Sequence, residues 1–159
     1  MAVARRMNGA LRLPADKSIA QRALLFNAMG HGEAHVRMRL PGADVRSTAA
    51  AMTALGACKT VSEVDGWVTY RVQGGGAADR AALPGAGAIT VDCGNSGTLM
   101  RLLSGAAATR PGRTILTGDA SLSSRPMERV ATPLRAIGVP STTTEGHAPI
   151  EIEGGAPIE

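Results

Sequence analysis

Residues 51–75, AMTALGACKTVSEVDGWVTYRVQGG, and residues 130–155, VATPLRAIGVPSTTTEGHAPIEIEGG, carry one pattern twice. Leu55-Gly56 falls on Ile137-Gly138, and Val72-Gln73-Gly74-Gly75 falls on Ile152-Glu153-Gly154-Gly155. Upstream, KSIAQRALL (17–25) matches NSGTLMRLL (95–103), with Ser18 on Ser96 and Arg22 on Arg101. The separation is about 80 residues throughout, so two units almost fill the 159-residue chain. A repeat of this period decides the fold before any single element does.

Each unit reads alike. A polar turn leads into an apolar helix, at Ser18–Met29 and again at Gly97–Ala108. A short β-branched segment follows, HVRMRL (35–40) or RTILTG (113–118). A second helix comes next, Val45–Leu55 or Pro126–Ile137, and stops at Gly56 or Gly138, the expected C-terminal cap. Two alternating segments close the unit, WVTYRVQG (67–74) matching PIEIEG (149–154), and period-2 alternation supports strands. The unit is therefore β-α-β-α-β-β, an α/β (α+β) fold with helices packed against sheets. Pro133 should kink the last helix or delay its start. GGGAADRAALPGAGA (74–88) connects the units, which we place at 14–83 and 84–159.

Composition narrows the function. The chain is 44% hydrophobic and 19% charged, enough to bury a core. Phe26, Trp67 and Tyr70 are its only aromatics, so base stacking on aromatic platforms is not expected. The net charge is +4, but the basic residues are scattered among acids and form no nucleic-acid module. Cys58 and Cys93 belong to no CxxC or Cys/His cluster, which argues against a structural zinc site. No signal core or membrane-length apolar run is present, so a cytoplasmic protein without a membrane partner is expected.

Three turns are shaped for anions. In ADKS (15–18), Ser18 and Asp16 both suit a helix start, Lys17 adds a point charge, and Arg22 shares a face with Ser18. In DCGNSGTLMRLL (92–103), Gly97 lets a ligand approach the backbone, and Arg101 repeats Arg22. In GDASLSSRPMERV (118–130), Pro126 suits the first helical position and leaves Arg125 at the cap. Each turn alone also reads as an ordinary capped helix with solvated cations. Together, two of them at matching places in a repeat, they suggest an anion-binding surface. Asp44 and Asp119 read as turn residues, and the acids and histidines supply no metal motif or Ser-His-Asp arrangement.

PADKSIAQRALLFNAMGHG, DCGNSGTLMRLLSG and GDASLSSRPMERVATPLRAIG, in this order and spacing, resemble the EPSP synthase (3-phosphoshikimate 1-carboxyvinyltransferase) family over nearly the whole chain. The resemblance implies an inverse α/β barrel fold of repeated units and a transferase of aromatic amino acid biosynthesis. Such an enzyme moves enolpyruvyl from phosphoenolpyruvate to the 5-hydroxyl of shikimate 3-phosphate and releases phosphate, without metal or organic cofactor. Glyphosate competes at the phosphoenolpyruvate subsite. It implies that Lys17 is catalytic and reaches both substrates, that Ser18 and Arg22 hold shikimate 3-phosphate, and that Asn95, Gly97 and Arg125 line the phosphoenolpyruvate subsite. Residues 1–13 would form a strand of the family's other domain.

Some positions depart from the family. Ala15 replaces a frequent glycine, Ala20-Gln21 a frequent Ser-His or Ser-Asn, and Ser124 a frequent lysine. The chain also holds two of the family's six units, without the Ser-Ser-Gln loop, the aspartate base or the cations of the other domain. The resemblance therefore implies an N-terminal portion that is inactive alone and self-associates through surface left open. Two rivals are a relative of UDP-N-acetylglucosamine enolpyruvyl transferase, whose loop cysteine aligns with Ala120, and a non-catalytic anion-binding domain.

Overall fold

The computed structural model describes residues 13–77 and 82–155. The strand expected before Leu13 and residues 78–81 of the connection lie outside them. The first unit contains α1 (Lys17–Met29), β1 (Glu33–Arg39), α2 (Ala43–Ala54), β2 (Cys58–Val64) and β3 (Trp67–Gln73). The second contains β4 (Ile89–Asp92), α3 (Gly97–Ala107), β5 (Gly112–Thr117), α4 (Ala120–Ser123), α5 (Glu128–Ala136), β6 (Ser141–Thr144) and β7 (His147–Gly154).

The two sheets share a topology. β3 lies between β1 and β2, antiparallel to both, as β7 lies between β5 and β6; β4 adds a parallel edge beside β5. The alternation seen in sequence is the burial pattern. Val68, Tyr70 and Val72 of β3 and Ala148, Ile150 and Ile152 of β7 are buried. On the other face, the Arg37 guanidinium lies 4.5 Å from the centre of the Trp67 ring. Complete burial of Ile150 or Ile152 contributes roughly 1.5–3 kcal/mol each. Gly74 and Gly154 end the central strands where a Cβ would lie 2.1 Å from the Gly30 carbonyl oxygen and 2.2 Å from that of Ala107. Only glycine permits the strand to pass that close to a helix end.

Between the sheets, α1, α2 and α3 pack on one another; α1 also rests on β1 and β3, and α3 on β5 and β7. Their buried positions match at a constant separation in sequence: Ala20, Leu24 and Ala28 correspond to Leu99, Leu103 and Ala107, and Gln21 to Met100. This corrects the pairing of Ser18 with Ser96. Ser18 falls instead on Gly97, while Arg22 does fall on Arg101. The caps differ accordingly. The Asp16 carboxylate accepts from the Ile19 N–H at 2.8 Å and caps α1, leaving Ser18 inside the first turn; Ser96 caps α3.

The third turn also differs from expectation. Asp119 caps the short α4, and α5 starts at Glu128 rather than at Pro126. The amides of Met127, which precedes α5, and of Glu128, which begins it, donate to the Gly146 carbonyl at 2.7 and 3.1 Å. Arg125 therefore follows the end of α4 and does not cap α5. Pro133 lies inside α5, where it leaves the Arg129 carbonyl without its helical donor. Both residues are exposed, so water can serve that carbonyl.

Candidate functional site

The beginnings of α1, α2 and α3 meet. Lys17, the first residue of α1, places Nζ 3.1 Å from Oδ2 of Asp44 in the first turn of α2. One turn along α1, the buried Gln21 uses Nε2 to donate to Ser96 Oγ (2.8 Å), Thr48 Oγ1 (3.1 Å) and the Asp44 carbonyl (3.3 Å). Ser96 in turn caps α3. Unpaired N–H groups at helix starts carry partial positive charge, and three starts in one place add. Lys17, Ser18 and Arg22 are exposed at this convergence, and Arg22 is held against the Ser18 carbonyl at 3.1 Å.

The second cluster centres on Asn95. Its Oδ1 accepts from the Arg125 guanidinium at 2.8 Å, and its Nδ2 donates to Asp119 Oδ2 at 2.7 Å. Gly97 is buried beneath the arginine: a Cβ there would sit 2.8 Å from Arg125 Nη1. The glycine is required by the guanidinium's position, since its backbone has no left-handed φ. The Asp119 carboxylate accepts two hydrogen bonds. The Leu122 N–H, then the Asn95 amide, hold its carboxyl below the usual aspartate range. It stays ionised and anchors Asn95, which in turn aims Arg125.

The structure thus brings together Asn95, Gly97 and Arg125, and separately Lys17, Ser18 and Arg22. Gln21 joins the groups. Arg101 is half-buried, its Nε has no partner among the described residues, and it does not duplicate the exposed Arg22. Three participants were not anticipated. Asp44 and Asp119 were read as turn residues but hold Lys17 and Asn95. Gln21 was noted only as a departure. Its signal was available, a polar residue on the apolar stripe Ala20, Leu24, Leu25, Ala28. Among the described residues no group of three His, Cys, Asp or Glu could hold a metal ion, and no helix is long and apolar enough to cross a membrane. Burial pushes the Cys93 thiol up to about 12, and raises that of Cys58.

The family model for EPSP synthase (3-phosphoshikimate 1-carboxyvinyltransferase) matches residues 2–158. The chain belongs to the EPSP synthase family. A 3-phosphoshikimate 1-carboxyvinyltransferase of Chloroflexus aurantiacus is 41% identical over 152 residues, covering 94% of this chain and 33% of that protein. One from Synechococcus sp. (strain RCC307) is 46% identical over 151 residues, covering 93% and 33%. The solved EPSP synthase of Acinetobacter baumannii superposes with a TM-score of 0.76 at 38% identity, over 95% of this chain and 33% of that one. The mixed α/β fold with two sheets is therefore that of part of an EPSP synthase. The chain spans about a third of the length of these relatives.

Proposed function

We propose that this chain supplies one wall of a 3-phosphoshikimate 1-carboxyvinyltransferase site. In that reaction the 5-hydroxyl oxygen of shikimate 3-phosphate bonds to C2 of phosphoenolpyruvate; the hydroxyl proton is given up and phosphate leaves. Both substrates are anions that must lie side by side, so the site has to cancel their repulsion while fixing their geometry. The observation that supports this reading is the convergence of three helix starts, with Lys17, Ser18 and Arg22 on α1, linked through Gln21 and Ser96 to Asn95, Gly97 and Arg125. Ser18 and Arg22 would hold the shikimate phosphate, Asn95, Gly97 and Arg125 the phosphoenolpyruvate, and Lys17 would touch both. Lys17 must leave Asp44 to do so, and an exposed ion pair of this kind is worth about 1 kcal/mol or less. An arriving dianion can displace it.

Turnover on this reading needs residues that the relatives carry outside the matched third, and the reaction would take place in the cytoplasm. Self-association would use the exposed Ile19 and Phe26 of α1, which flank Arg22, and so would compete with substrate; a monomer at all concentrations in sedimentation refutes that part. Calorimetry with shikimate 3-phosphate tests the site. Lys17→Ala and Arg22→Ala should each weaken binding by about tenfold or more, the value of one charged hydrogen bond. Unchanged affinity in both variants overturns the assignment. The UDP-N-acetylglucosamine reading is disfavoured by Ala120, which begins α4 with no thiol, and by the burial of both cysteines elsewhere.

A further inference from the structure

Gln21 is a polar residue in a core position. It is 1% exposed, and the second unit fills the equivalent place with Met100, fully buried. Packing alone does not require an amide there. Hydrogen bonding fixes which way the amide faces. The Asp44 carbonyl can only accept, and the Thr48 hydroxyl is already donating to that carbonyl at 2.9 Å, so it accepts from Gln21. The nitrogen must therefore face α2 and Ser96. Oε1 is left buried with no partner among the described residues. A buried acceptor without a donor is costly, and methionine would avoid that cost. What the glutamine adds is contact with two other helix starts at once. Among the described residues Gln21 to Ser96 is the only hydrogen bond between α1 and the start of α3. Apolar packing resists sliding less than a directed bond does.

We infer that Gln21 is a positioning residue that holds the turn carrying Lys17, Ser18 and Arg22 in fixed register with the turn carrying Asn95 and Gly97. This rests on the proposed function for its consequence, because two substrates must be set against each other to within a fraction of an ångström. It does not rest on it for its geometry.

The test uses Gln21→Met, which installs the residue the second unit already tolerates. Two measurements are made on the folded variant and wild type. Residual dipolar couplings report the orientation of α1 relative to α3. Calorimetry in saturating shikimate 3-phosphate reports the affinity for phosphoenolpyruvate, the ligand that the proposed function sets between Lys17 on α1 and Asn95 and Gly97 at the start of α3. The expected result is that α1 and α3 no longer fit one alignment frame as they do in wild type, with at least about tenfold weaker binding. A merely structural role would lower the melting temperature and leave the orientation unchanged, and that outcome overturns the inference. So does a changed orientation with unchanged affinity. If wild type itself binds neither substrate, the proposed function fails, and the orientation measurement alone decides Gln21. Should Gln21→Met not fold, Gln21→Leu, equally unable to donate, is measured in the same way.

Discussion

Replacing Gly97 by alanine should separate the placing of Arg125 from the stability of the fold. The added Cβ would lie 2.8 Å from Arg125 Nη1, closer than non-bonded atoms approach, and 3.6 Å from Leu122 Cδ1, an ordinary contact. The obstructed atom is the end of a flexible side chain, so the guanidinium swings away and the backbone stays. The cost is the 2.8 Å bond to Asn95, worth about 0.5–1.5 kcal/mol at a half-exposed site. Against it stands the gain from alanine over glycine at the first position of α3, about 0.5–1 kcal/mol. The two nearly cancel. Urea unfolding should shift by less than about 1 kcal/mol in either direction. A crystal structure should show Arg125 turned away from Asn95, while Asn95 keeps its bond to Asp119. If Arg125 serves phosphoenolpyruvate, affinity for that ligand should fall by about tenfold or more, because a displaced cation is felt at the ångström scale. A loss of more than about 3 kcal/mol of stability, or an Arg125 still bound to Asn95, would show that the contact was misjudged.

Other consequences follow from burial and charge. Arg110 is 3% exposed and donates to the carbonyls of Gly87 and Ala86 at 2.7 and 2.9 Å, pinning the connection onto the second unit. Arg110→Met should destabilise by about 2 kcal/mol in urea unfolding, the net value of the hydrogen bonds from a charged donor, since Ala86 and Gly87 are exposed and water can serve their carbonyls; a shift below about 0.5 kcal/mol refutes the role. The Asp119 carboxyl is held below its ordinary value of 3.8, so its contribution to stability is complete above that pH and is lost as pH falls through the lower, folded-state value. Asp119→Asn keeps a capping oxygen but not the charge. The difference in urea midpoint between wild type and this variant should be constant from about pH 7 to 5 and vanish in stronger acid, and a difference growing with acid would contradict the assignment. With the Cys93 thiol pushed up to about 12 and Cys58 also buried, Ellman's reagent at pH 8 should label neither cysteine in the native protein and both in urea. Rapid native labelling would mean that the core opens.

Much of the fold was legible because its signals are periodic. The alternation in WVTYRVQG and PIEIEG is the burial pattern of β3 and β7, and the glycines ending each strand are the places where helix carbonyls approach. Helix starts were less legible because several residues competed for each cap. Asp16 and Ser18 both suit the role, and what accompanies the choice of Asp16 is a contact distant in sequence: its neighbour Ala15 donates its N–H to the Arg39 carbonyl at the end of β1. At α5 the deciding group is distant in sequence: Gly146, in the turn before β7, supplies the capping carbonyl. No local rule about proline at the first helical position could reveal it.

The site divides along the same line. Lys17, Arg22, Asn95 and Arg125 stand out by charge and by their turns, so sequence alone can nominate them. What sets their geometry is contributed by residues with no local mark of function. Asp44 lies 27 residues from Lys17, and Ser96 lies 75 from Gln21. Such pairs come into contact only after α1, α2 and α3 have packed, and that packing is driven by aliphatic side chains with no directional preference. The apolar core thus brings the helix starts together, and the polar contacts select one register among the arrangements the core would accept. A glutamine whose oxygen lies in the core with no partner among the described residues, where the other unit has a methionine, is what such selection leaves behind in a sequence. A repeat comparison can expose it: one unit carries an amide bonded to two other helix starts where the other carries a methionine, while the buried Ser104 of the second unit bonds only within its own helix.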